Sequence, residues 1–364
     1  MFFWYTFIIF ILAINLLCDI IKNKTICNVF LFIMFFFMLF IQAFRENVGY
    51  DFEQYRNLYY IAPSIESWIE NSSNLLSSSW IVEPTITIFS ELFRSMGFNY
   101  HALFILYSVL TMIFIIKGLY FYGNKNIIFV LIGLSIFALN RDLYFLTFSI
   151  IRQAVAGAIC FWASKYINTD TKKFILSVLI ASMFHYSAII MLSYIFLKYL
   201  RIKTRTMIII IVIVFFMTLT GVVRNIMIIL LQSTGFYVGY LDFNTVAVGG
   251  IYLEILLFFI VIYWRKNTIE DNFLFNIAFF NSVFYICSIS LNTMFTRIAL
   301  YTSIFYIVLF PKVLLRFKYG LLVKYIIYII FAIFLITNLS GYNEQSKTDF
   351  RANIEYDYTL DIFE

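Results

Sequence analysis

The chain has 364 residues, of which 63% are hydrophobic, 21% aromatic and only 13% charged. Soluble domains carry about 25% charged residues, so lipid rather than a soluble core must take up this apolar surface. The net charge of +6 falls in short loops, as on cytoplasmic membrane surfaces, and calls for no nucleic-acid partner.

With 3 prolines and 13 glycines, the chain suits long helices better than the alternating segments of a barrel. Met1 to Ile21 is apolar but lacks a basic leader and a small-residue cleavage site, so it reads as a retained helix. Further apolar runs lie near 26–44, 100–122, 126–140, 143–164, 174–200, 206–226, 248–264, 272–291, 296–316 and 321–340. Many approach the 20 residues that a helix needs to cross the hydrocarbon layer. The expected fold is an all-α polytopic membrane protein with about 11–12 transmembrane or re-entrant helices. A single transmembrane domain is expected over 1–340, with external loops at 45–80 and 224–250 and a polar, acidic tail at 341–364.

Lysine placement sets the orientation. Lysines collect at 22–24, 117–125, 165–173, 198–203, 266 and 312–324, whereas the interruptions at 45–80, 140–152, 224–247 and 292–297 carry arginine alone. The positive-inside rule puts the lysine clusters in the cytoplasm and the arginine-only loops outside. Ile81 to Phe98 contains Glu83, Pro84, Glu91 and Arg94 and reads as a helix lying on, or dipping into, the outer face. Phe174 to Leu200 has lysines at both ends, so it is either a re-entrant hairpin with its tip near His185 or one ordinary span. Cys18, Cys27, Cys160 and Cys287 form no Cys-x-x-Cys pair, and neither a metal site nor a disulfide framework is indicated.

Charged and polar residues inside apolar runs point to chemistry, because a charge at a helix centre costs roughly 2.5–3.5 kcal/mol to insert. Arg152 and Gln153, His185, Arg297 and Glu254 all interrupt such runs. Arg45, Arg152 and Arg297 suit a diphosphate, since the planar guanidinium donates two parallel hydrogen bonds. The bland alternative is structural: an arginine on helix-end carbonyls, a histidine on a neighbouring hydroxyl. Asp51 and Glu83 are the candidate general bases. Each could instead cap helix amides. His185 could add a donor or carry a proton. No cofactor is expected, no metal-ligand cluster is visible, and a divalent cation is left open.

Taken in order, Arg45-x-x-x-Gly49-x-Asp51-x-x-x-Tyr55, Glu83-Pro84, Arg152-Gln153-x-x-Ala156 and Phe184-His185-x-Ser187-Ala188, with Arg297, Tyr301 and Pro311, resemble the EpsG family of polysaccharide-synthesis membrane proteins, which includes Wzy-type O-antigen and capsule polymerases. The resemblance covers roughly residues 45–311. It implies a GT-C-like architecture and an inverting glycosyltransferase in the bacterial inner membrane, with its active site facing the periplasm. Its substrates would be undecaprenyl-diphosphate-linked glycans, as donor and acceptor, in contact with membrane lipid, and a chain-length regulator protein would be a partner. Asp51 occupies the place of the acidic residue in the first external loop. The competing readings are a lipid-linked oligosaccharide flippase or transporter, whose arginines would bind the same diphosphate without reaction, and a membrane acyltransferase or glycan ligase.

Overall fold

A computed structural model describes residues 1–71, 83–233, 258, 269–290, 292–316 and 320–363. The chain divides into two compact units, Met1–Ile190 with Leu314–Glu364, and Met191–Val313.

The first unit contains α1 (Phe2–Ile21), α2 (Lys24–Ala43), α3 (Phe52–Ile61), α4 (Ile65–Asn71), α5 (Pro84–Ser95), α6 (His101–Tyr122), α7 (Ile127–Leu139), α8 (Leu146–Ser149), α9 (Ile151–Ala163) and α10 (Thr171–Phe184). In the second unit are α11 (Tyr194–Leu197), α12 (Thr204–Leu219), α13 (Val222–Ser233), α14 (Ile269–Cys287) and α15 (Asn292–Ser303). Helix α16 (Tyr306–Leu314) closes the second unit, and α17 (Gly320–Gln345) returns to the first.

Among the described residues four helices, α1, α2, α6 and α17, are long and apolar enough to cross a membrane. At 1.5 Å per residue they reach about 30 Å or more, the thickness of the hydrocarbon core. The number rises to seven among the described residues if each of three bent pairs is one span. The other runs marked in the sequence form shorter helices or lie outside the described residues, as 248–264 largely does. The expectation of an all-α polytopic membrane protein is met.

Local chemistry explains the ends of these helices. Asn23 accepts from the Thr25 and Ile26 amides and starts α2, after Lys22 turns the chain through the left-handed region at φ 53°. Asn126 caps α7 through the Ile128 and Phe129 amides, and Asp170 caps α10 through Lys173. Polar side chains then tie the helices together where lipid offers no partner. Asn15 on α1 donates to Ser135 on α7 at 2.7 Å and accepts from Tyr328 on α17 at 3.0 Å. Near the same end of α1, Asp19 pairs with the buried Lys324 and accepts from Tyr325 at 2.7 Å. Tyr122 and Ser164, 2.6 Å apart, join the ends of α6 and α9.

These ties give the first unit two distinct ends. One carries Lys22, Lys24, Lys165, Lys172, Lys173 and Lys324. The other gathers the C-termini of α2, α10 and α17 with the N-termini of α1, α6 and α9. The tail closes over this second end. Asp357–Tyr358 (β2) pairs antiparallel with Arg45–Glu46 (β1), Arg45 opposite Tyr358. Trp4 Nε1 donates to the Ile354 carbonyl at 2.8 Å, and Tyr356 stacks on Phe3 at 4.1 Å. Further along, Asn99 donates to the Asp361 carbonyl at 3.0 Å. Nothing in the sequence distinguishes this strap from a solvated tail.

The helix in the run Phe174–Leu200 breaks at His185, a break that does not by itself choose between a re-entrant hairpin and one span. There the backbone is extended, α10 ends, and a 3-10 helix begins at Tyr186. Helix α5 is only 12 residues long, too short to span. In the second unit, Tyr194 donates to the Tyr301 carbonyl at 2.6 Å, and Asn276 donates to the carbonyls of Leu197 and Leu200 at 2.7 and 2.8 Å. Most of the expected external loop 224–250 lies outside the described residues; α13 covers its start.

Candidate active site

The segment after α2 is shaped by Arg45. Its side chain is fully buried and turns inward rather than to a ligand. Nε donates to the Val48 carbonyl at 3.1 Å, Nη2 to the Phe148 carbonyl at 3.0 Å and Nη1 to the Gln42 carbonyl. The guanidinium also lies over the rings of Phe104 and Phe148, at 4.6 and 5.1 Å. The expected diphosphate contact is therefore corrected. Arg45 is a clamp on three backbone carbonyls that would otherwise be buried unpaired.

Gly49 completes the same seat. It has φ +107°, and a Cβ there would lie 2.5 Å from the Phe148 oxygen. The next amide, Tyr50 N, donates to Ser149 Oγ at 2.9 Å. This brings Asp51 to the start of α3, where its side chain makes no capping bond. Its charge acts on Tyr50, Tyr55 and Arg351. One turn on, the buried Tyr55 presents its ring to the Arg152 guanidinium at 5.3 Å.

Glu83 lies at the centre of the arrangement. It precedes Pro84 at the start of α5, and its side chain makes no capping bond either. Only 3% of the residue is exposed. One carboxylate oxygen takes Arg152 Nη1; the other is 2.8 Å from His185 Nδ1. Burial alone would raise this carboxyl, but the His185 hydrogen bond and the Arg152 charge outweigh it and hold Glu83 below the usual carboxylate range. Glu83 is thus ionised at neutral pH.

Three separate elements deliver these groups. Arg152 is the second residue of α9, His185 is the residue at which α10 ends, and Glu83 opens α5. Thr85 ties α5 to α6 and α10: its hydroxyl is 2.8 Å from Tyr107 on α6 and donates to the Met183 carbonyl on α10 at 3.1 Å. Arg152 Nε is buried with no hydrogen-bond partner among the described residues. Gln153, next to it, is buried in α9.

The first unit thus brings together Glu83, Arg152, His185 and Tyr55, with Asp51 one turn from Tyr55. Arg297 and Tyr301 lie on α15 of the second unit, half-buried and buried respectively. Thr85 and Tyr107 escaped the sequence reading. A threonine two residues after Glu83 and a tyrosine in an apolar run carry no pattern of their own. Among the described residues no group of three or more His, Cys, Asp and Glu side chains could hold a metal ion, and the four cysteines are buried and free.

A buried carboxylate holding an arginine and an imidazole can keep one imidazole nitrogen protonated and the other able to accept a proton, with a cation beside them. That arrangement suits transfer to a hydroxyl with an anionic leaving group.

No curated protein and no solved structure matches the chain. The family model described as "EpsG family" matches residues 28–351, which include every member of the cluster. The chain therefore belongs to the EpsG family, a family of Wzy-like polymerases.

Proposed function

We propose that this protein polymerises a bacterial surface polysaccharide by joining undecaprenyl-diphosphate-linked repeat units at the periplasmic face of the inner membrane, with inversion. The observation that carries this reading is the buried Glu83 carboxylate, shared between Arg152 and His185. Membership of a polymerase family and the separation of this cluster from the lysine-bearing end of its unit also support it.

In this reading Glu83 accepts a hydrogen bond from the Nδ1–H of His185, which fixes the tautomer and leaves the Nε2 lone pair for the acceptor. The acceptor hydroxyl gives its proton to Nε2 as its oxygen bonds the anomeric carbon of the donor sugar. The bond from that carbon to the diphosphate oxygen breaks, and its electron pair leaves with the diphosphate. Arg152 donates from Nε to the departing anion while Nη1 stays on Glu83. In the same reading Asp51 is the second carboxylate and orients sugar hydroxyls. Arg297 is a further candidate for the diphosphate, and a chain-length regulator is the expected partner.

Two isosteric changes and a deletion test this. Glu83→Gln and Asp51→Asn should each insert and accumulate while long-chain glycan falls by roughly two orders of magnitude or more. A deletion strain should retain one repeat unit on its surface. A surface with no unit at all would make the protein a flippase. Polymer accumulating on the carrier lipid would make it a ligase.

A further inference from the structure

Between the turn after α2 and the tail lies a cleft of about 480 Å³, lined by Asn47, Tyr50, Glu53, Lys347, Asn353 and Glu355 among others. Its volume is within the range of small-ligand sites, about 300–1,000 Å³. Both walls are fixed. Tyr50 donates to Asp349 at 3.1 Å, and Asn353 Nδ2 donates to the Asn47 carbonyl at 3.1 Å. The Arg351 guanidinium lies over the Tyr50 ring at 4.8 Å, so the ring cannot swing freely.

The charges in the lining argue against an anion as occupant. Arg351 is engaged by Asp349, at 2.9 and 2.8 Å, and Lys347 by Glu344 at 2.8 Å. Glu53 is paired with Arg56 at 3.2 Å, and Glu355 adds negative charge to the same walls. What remains is a mixed set of carboxylates, amides and a tyrosine edge. A phosphate would meet repulsion there, whereas a neutral polyhydroxyl ligand can both donate and accept.

Position matters as much as chemistry. Tyr50 and Phe52 line the cleft and flank Asp51, and Tyr55 lies one helical turn further, beneath Arg152. That turn is about 5.4 Å along the axis, roughly the length of one sugar.

We propose that this cleft is an oligosaccharide subsite, formed jointly by the turn and the tail, that holds a sugar of the lipid-linked glycan beside the place of transfer. The proposal rests on the polymerase reading and adds to it the residues that grip the chain. It gives the tail a task, since the cleft has only one wall without it.

The test uses full-length protein in lipid nanodiscs. The probes are lipid-free oligosaccharide released from the cells' own surface glycan and, separately, farnesyl diphosphate; binding is measured by calorimetry. Ser346 lines the cleft, and Ser346→Trp would fill it. Oligosaccharide affinity should fall by about tenfold or more, and farnesyl diphosphate should not compete with the oligosaccharide. If Ser346→Trp does not accumulate, Glu355→Ala, a truncation at the rim, is read in the same way. Unchanged oligosaccharide affinity overturns the subsite, as does competition by farnesyl diphosphate, which would mark an anion site. These results leave the polymerase reading standing as long as Glu83→Gln abolishes polymer; that reading fails separately, if Glu83→Gln makes polymer of full length.

Discussion

Arg45 and Arg152 show how one residue type serves two purposes in this fold. Both interrupt or end apolar runs, and the sequence offers each either a diphosphate or helix-end carbonyls, the latter more readily for Arg45 at the end of its run. The difference lies in what their forks meet. Arg45 meets three carbonyls, and each buried carbonyl left unpaired costs about 1–3 kcal/mol. Arg152 meets one carboxylate oxygen and keeps Nε without a hydrogen-bond partner among the described residues. Lysine should therefore fail at the two positions for different reasons. Arg45→Lys cannot reach all three carbonyls and should lower thermal stability and the amount of protein in the membrane. Arg152→Lys should accumulate near normal levels yet bind farnesyl diphosphate weakly, because a point charge replaces a fork. Thermal unfolding and diphosphate titration of both variants separate the two roles. An Arg45→Lys protein of normal stability with lost diphosphate binding would reverse the assignment. The motif was legible at 45, 152 and 185 because charge inside hydrocarbon is rare. The role at 45 was not, since spacing does not reveal that a side chain folds back on its own turn.

At the scale of elements, the long helices were legible and the short ones were not. Runs 1–21 and 26–44 correspond to α1 and α2 within a few residues, since continuous apolarity leaves little choice in lipid. The stretch 143–164 is interrupted instead. A π-helical turn at Arg141–Phe145 leads into α8, and α9 starts afresh at Ile151. That break supplies the Phe148 carbonyl and the Ser149 hydroxyl on which the Gly49 turn is seated. Local hydropathy carries no trace of such a seat, because it depends on a backbone 99 residues away. The seat makes a prediction. Gly49→Ala places a Cβ 2.5 Å from the Phe148 oxygen in a left-handed backbone, whereas Gly97→Ala, at φ +75°, has nothing within 4 Å of its Cβ. Gly97→Ala therefore bears conformational strain alone, of order 1–3 kcal/mol. Gly49→Ala adds a clash with backbone. In detergent-solubilised protein, the unfolding temperature of Gly49→Ala should drop by several degrees more than that of Gly97→Ala. Equal drops would mean that the turn moves freely off α8.

At the scale of the whole molecule, the arrangement of charge is the most readable feature of the sequence. The first unit places Lys22, Lys24, Lys165, Lys172 and Lys173 at one end and the cluster of Glu83, Arg152 and His185 at the other. Arg45, Arg56, Arg94 and Arg351 share the cluster's end, as does Lys347. The positive-inside rule predicts that the cluster faces outward, as the proposed function requires. A polymerase whose lipid-linked substrates arrive at the outer leaflet requires that orientation. The tail goes with the cluster, because β2 pairs with β1 and Trp4 holds the Ile354 carbonyl. Thr348 in the tail and Lys173 at the start of α10 are both exposed and therefore report the two sides. Cysteines placed singly at these positions, in a background without Cys18, Cys27, Cys160 and Cys287, can be treated with an impermeant thiol reagent on spheroplasts. Thr348→Cys should label at once, and Lys173→Cys only after lysis. The reverse pattern would turn the unit over, put the cluster in the cytoplasm, and remove the outer-leaflet substrate from the mechanism. Labelling of both before lysis would place the two ends on one side, which a unit held by helices of 20–26 residues, crossing about 30 Å of lipid, does not permit.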